Sequence, residues 1–98
     1  MCRPYRRRPS LLMTLAAPED RPVTGLTKLN NKLYVVYHEY DTINVYMAQQ
    51  PFTQLPPIHI NVMTGPADMS ACSINNCLYV ADPRSRCVWR VNTYNKVD

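Results

Sequence analysis

Glycine is nearly missing from this chain, with two in 98 residues. A loop that cradles a nucleotide phosphate needs several backbone positions without a Cβ, so that class of site is excluded. Neither Gly-x-Ser-x-Gly nor His-Glu-x-x-His occurs, and no Ser, His and Asp combine in a nucleophilic motif, so no catalytic residue is assigned. The four cysteines include no Cys-x-x-Cys pair, which leaves no zinc ligand set and no cofactor site to assign. Helical patterning is also lacking. Nine prolines interrupt the chain, and no long run repeats apolar residues at i, i+3, i+4 and i+7. No apolar stretch approaches the roughly 20 residues that span a bilayer as a helix.

What is present is a polar-poor composition, 46% apolar and 18% charged, of the kind that builds one compact core. The formal charge of +4 is carried entirely by Arg3, Arg6, Arg7 and Arg8, which leaves seven basic and seven acidic residues in the remainder. Residues 1–10 therefore read as a disordered basic tail, with electrostatic attraction to phosphates or an anionic surface as their functional alternative. The next stretch, LLMTLAAP, has the order of a secretory leader. Its apolar run is seven residues long with Thr14 inside it, at the short limit for that role.

The dominant signal is a repeat. Asn30, Asn31, Leu33, Tyr34 and Val35 recur 45 residues later as Asn75, Asn76, Leu78, Tyr79 and Val80, with no gap. TINVY falls on CVWRV in the same frame, and LLMTL falls on PPIHI. Each unit holds about four short β-prone runs, a period and content typical of β-propeller blades. The expected fold is all-β: antiparallel four-stranded blades in an incomplete propeller, with one full blade over 20–62, most of a second over 63–98, and LLMTL as the outer strand of a preceding one. Strands are expected at 23–29, 32–37, 42–47 and 57–62, then at 68–73, 77–82 and 87–92. Paired asparagines tolerate positive φ and predict two-residue type I′ hairpin turns at both copies. The proline-rich residues 47–57 read as a loop, with Phe52 and Leu55 tucked beneath it.

LYVADPRSRCVWRVN resembles an NHL repeat among the six-bladed, TolB-like propellers. Tyr79, Val80, Ala81 and Asp82 match the strand of that repeat, and Arg86 and Val88 match the start of its next strand with Cys87 inserted. The first copy departs, having Tyr37 for the aspartate and Thr42-Ile43 for the basic-apolar pair. The resemblance implies a ring of blades serving as a platform for protein or RNA, or, in some relatives, a metal-dependent lactonase. It also implies a fragment, whose open flanks need further blades or self-association.

Where the copies stop agreeing, specificity is free to reside. His38, Glu39, Tyr40 and Asp41 follow the first repeat phrase, and Arg84 and Arg86 lie in the loop after the second. Both loops are expected on one rim, beside residues 17–22 (with Glu19 and Asp20) and 63–68. Mixed charge with an aromatic suits a protein or peptide partner, whereas nucleic acid favours one dominant positive sign. RNA binding through Arg84 and Arg86 is the basic-patch alternative. A lactonase-like site would draw on Asp68, the sole carboxylate of the inner strands. Reading His38, Glu39 and Asp41 as cation ligands has a polar turn as its simpler counterpart, and His59 reads as an isolated surface residue. Trp89, Tyr34 and Tyr79 read as packing residues between blades. With a two-residue turn at the second asparagine pair, no two cysteines stand opposite each other. Free thiols in a reducing, cytoplasmic compartment are then expected.

Overall fold

Asn30 and Asn31 hold φ values of 51° and 65°, the paired left-handed conformation that matches a two-residue turn to strand twist. They join β1 (Val23–Leu29) to β2 (Lys32–Tyr37), and the hairpin closes with Leu29 opposite Lys32. The chain continues through β3 (Thr42–Met47), β4 (Gln54–His59), β5 (Asp68–Cys72), β6 (Cys77–Asp82) and β7 (Cys87–Asn92). The computed structural model describes Leu11 and residues 21–93, and among them there is no helix. The arginine tail, Glu19, Asp20 and nearly all of LLMTL lie outside the described residues.

The strands form two antiparallel meanders, one of four strands in the order β1-β2-β3-β4 and one of three in the order β5-β6-β7. Five strands have the expected bounds, and β5 ends one residue early, at Cys72. The fourth is displaced. Gln54–His59 replaces the expected 57–62, so Leu55 and the two prolines belong to the sheet and the loop is shorter. The ladder passes from Ile43↔Ile58 to Val45↔Leu55, so Pro56 and Pro57 sit at a bulge on an edge strand, where a missing N–H breaks no ladder.

The second hairpin also differs from expectation. Its closing pair is Cys72↔Cys77 around a four-residue loop, with Asn76 alone of the asparagine pair at positive φ, 52°. Relative to β1 on β2, β5 is shifted by two residues: Ala81 faces Asp68, whereas its equivalent Val36 faces Gly25. A shift of two preserves which side chains face the core. It also places two cysteines opposite each other.

The core lies between the sheets. Tyr34, Val36, Ile43 and Val45 of the first meet Met69, Leu78, Val80 and Val91 of the second, with Met63 from the connection. At about 1.5–3 kcal/mol for each fully buried large apolar side chain, this layer is the main stabilising term. Gly25 lies where β1 and β5 run side by side. A Cβ there would stand 2.8 Å from Val36 Cγ2 and 3.3 Å from the Met69 nitrogen. Trp89 packs against this core, as expected. The far face of the first sheet buries Val35, Tyr37 and Tyr46.

Tyr79 departs from its repeat partner. Tyr34 is buried, whereas Tyr79 is 37% exposed on the outer face of the second sheet. Along that face Arg90 stands where the first sheet has Val45, and Ala81 where it has Val36. The substitutions exchange apolar surface for a composition compatible with water.

Candidate functional site

Both loops that follow the repeat phrase emerge at one end of the sheets. Residues 38–41 turn between β2 and β3, with Glu39 at φ 52°, and residues 83–86 turn between β6 and β7, with Arg86 at φ 58°. They meet through an ion pair between Glu39 and Arg84. Both members are roughly half exposed, so the pair positions the loops more than it stabilises the fold.

Arg21 organises the first loop. Its guanidinium donates to the carbonyls of His38 at 3.0 Å and Glu39 at 2.6 Å, and lies 5.5 Å from the centre of the Tyr40 ring. Tyr40 in turn stands edge-on to the buried Tyr37, with ring centroids 6.3 Å apart. The aromatic is therefore held from two sides. Asp41 accepts from Thr42 Oγ1 at 3.0 Å and lies 3.5 Å from His59 Nδ1, which is also 3.1 Å from the same hydroxyl. His59 is thus paired with its neighbours, not isolated as the sequence implied, because β4 sets it directly opposite Thr42.

A buried carboxylate supports the other side. Asp82 Oδ2 accepts from the Thr64 N–H at 3.0 Å and the Trp89 indole at 2.9 Å, and Oδ1 accepts from the Gly65 N–H at 2.8 Å. Thr64 Oγ1 approaches Oδ1 at 3.4 Å and Ser85 Oγ at 2.9 Å. Burial alone would raise the Asp82 pKa. The hydrogen bonds from Trp89, Thr64, Gly65 and Ser85 outweigh it and hold the carboxyl well below the ordinary range. Asp82 thereby fastens the connection before β5 to the loop that carries Arg84.

Arg21, Glu39, Tyr40, Asp41, Thr64 and Arg84 line a shallow cleft of about 480 Å³. Of the expected site residues, Glu39, Tyr40, Asp41 and Arg84 come together there, and His38 stands beside Glu39, Nε2 to Oε2, at 3.8 Å. Arg86 is exposed and does not line the cleft. Arg21 and Thr64 were not singled out from the sequence, although both lie in the segments expected on this rim. Among the described residues no three His, Cys, Asp or Glu side chains converge on a metal site. Asp68 Oδ1 accepts from the Met69 N–H at 2.8 Å. A second cleft, of about 720 Å³, opens between Tyr34, Val45, Leu55 and Ile58 of the first sheet and the end of β7. Among the described residues no helix is long and apolar enough to cross a membrane.

Comparison with family models, with curated proteins and with solved structures gives no match for this chain.

Proposed function

We propose that the two sheets are consecutive blades of a β-propeller of the NHL or TolB-like kind, and that the loop end carrying Glu39 and Arg84 is a docking platform for a protein or peptide. The fold reading is supported by two meanders in one repeat frame, with the first strands of each side by side. The platform reading rests on one observation: a cleft with both charge signs around an aromatic that is already held in place. Pre-ordering of Tyr40 by Arg21 and Tyr37 lowers the entropy that a partner must overcome on binding. The RNA alternative is less well supported, because the charge of Arg84 is matched by Glu39 within the loops. A lactonase-like reading has no comparable cluster behind it. In either propeller reading the outer edge of β7 calls for a further strand, from more blades or from a second copy.

A photo-crosslinking residue at His38, compared with one at the exposed Gln50 on the opposite end, tests the platform. A discrete protein adduct is expected from position 38 alone. It should vanish when Glu39→Arg and Arg84→Glu are combined, a swap that keeps the ion pair and inverts the pattern. Equal adducts from both positions, or an adduct indifferent to the swap, would refute it.

A further inference from the structure

Cys72 and Cys77 close the β5–β6 hairpin as directly opposed residues. Opposed antiparallel residues have Cα atoms about 4.5–5.5 Å apart, inside the window of about 4.4–6.8 Å that a disulfide spans. Both side chains lie on the outer face of the second sheet, in line with Tyr79 and Arg90, which oppose each other across β6 and β7. Cys72 is half-buried and Cys77 is 1% exposed, and both are free thiols. One sulfur is thus accessible and the other is sheltered beside it.

We propose that Cys72 and Cys77 are a reversible redox couple, closing to a cross-strand disulfide when a low-molecular-weight disulfide such as oxidised glutathione is in excess. The proposal does not rest on the rim site. In the first step the Cys72 thiolate attacks one sulfur of the oxidant. The S–S bond of the oxidant breaks, and the departing thiolate takes up the proton that Cys72 released. In the second step the Cys77 thiolate attacks the Cys72 sulfur of the mixed disulfide. A second small thiolate leaves and takes up the Cys77 proton. The protein loses two electrons and two protons, and the oxidant becomes two thiols.

The surroundings of Cys77 suit that second step. Burial opposes ionisation, but hydrogen bonds from Tyr79 and Arg90, the Arg90 charge and the contact with Cys72 together bring the thiol below its usual range. Arg90 acts as a positioning residue, steadying the resolving thiolate without touching the oxidant.

The full chain, equilibrated with reduced and oxidised glutathione and then alkylated, provides the test. Trypsin cleavage after Lys32 and Arg84 releases one peptide with Cys72 and Cys77 and no other cysteine. Under oxidised glutathione this peptide should resist alkylation and lose two hydrogens in mass, and reduced glutathione should reverse both changes. Cys77→Ser should instead accumulate one glutathione on Cys72. Arg90→Ala should slow closure about fivefold, with Arg90→Lys restoring most of the rate. A wild-type peptide that stays doubly alkylated, keeps a stable glutathione adduct, or links to Cys2 or Cys87 would overturn the proposal.

Discussion

Replacing Asp82 by Asn keeps the shape of the side chain and removes its charge, which isolates the electrostatics of the buried carboxylate. Every group around it is a donor: the N–H of Thr64 and the indole of Trp89 on Oδ2, the N–H of Gly65 on Oδ1. An amide has one acceptor oxygen, so its NH₂ must face one of these donors. A buried donor left unmatched costs about 1–3 kcal/mol. Losing the charge also weakens the bonds that remain, since bonds to an ionised acceptor contribute about 1.5–3 kcal/mol each. The expected loss is about 3 kcal/mol in urea unfolding, or roughly 12–24 °C in Tm for a domain of this size. Trp89→Phe should cost less, and a double-mutant cycle should show coupling of about 1 kcal/mol between the two sites.

The same carboxylate gives a signed pH dependence. Its folded pKa lies below its unfolded value of about 3.9. The unfolded chain therefore takes up the proton first as pH falls, and the stabilisation is complete above about pH 5 and declines below it. Subtracting the Asp82→Asn profile from the wild-type profile should leave a difference that shrinks steadily from about pH 5 to pH 2. A difference that is flat in that window, or an Asp82→Asn protein within about 0.5 kcal/mol of wild type, would refute the account of Asp82 as the fastening between connection and loop.

Three further substitutions test the fold. Gly25→Ala would place a Cβ against Val36 and the β5 backbone, and should lower the urea midpoint by the equivalent of about 1–3 kcal/mol. A stabilising effect, as expected where an alanine fits without a clash, would mean that β1 and β5 are not this close. Asn31 is left-handed and Asn75 is not, so Asn31→Ala should cost about 1 kcal/mol while Asn75→Ala costs little. Equal costs, measured by the same unfolding assay, would mean that the two turns share one conformation.

The strand pattern was legible because repetition supplied a second reading of every β-prone run, and because Asn30-Asn31 is chemically suited to the turn it makes. Other features escaped. Pro56 and Pro57 look like loop residues, yet an edge strand with a bulge tolerates both. Asn75-Asn76 repeats the letters of the first turn but not its geometry. A four-residue loop and a shift of two residues satisfy the same alternation of faces, so hydrophobic pattern alone could not choose between them. The opposition of Cys72 and Cys77 depended on that choice. The support around Asp82 was illegible for another reason: its donors come from residues 64, 65 and 89, and only tertiary structure aligns them.

One signal at the rim was available in the sequence and rests on symmetry. Glu39 and Arg84 stand 45 residues apart, so they are the same position of successive repeats, and they form an ion pair. At the opposite end Asn30 donates its amide to Asn76, offset by 46. When two units stack side by side in the same orientation, equivalent loops become neighbours at both ends. Opposite charges at one repeat position then attract across the interface, whereas identical charges would repel. At Glu39 and Arg84 the repeat therefore contacts itself. On the proposed platform reading, partner specificity comes from the groups arranged around that contact, among them Tyr40, held between Arg21 and Tyr37.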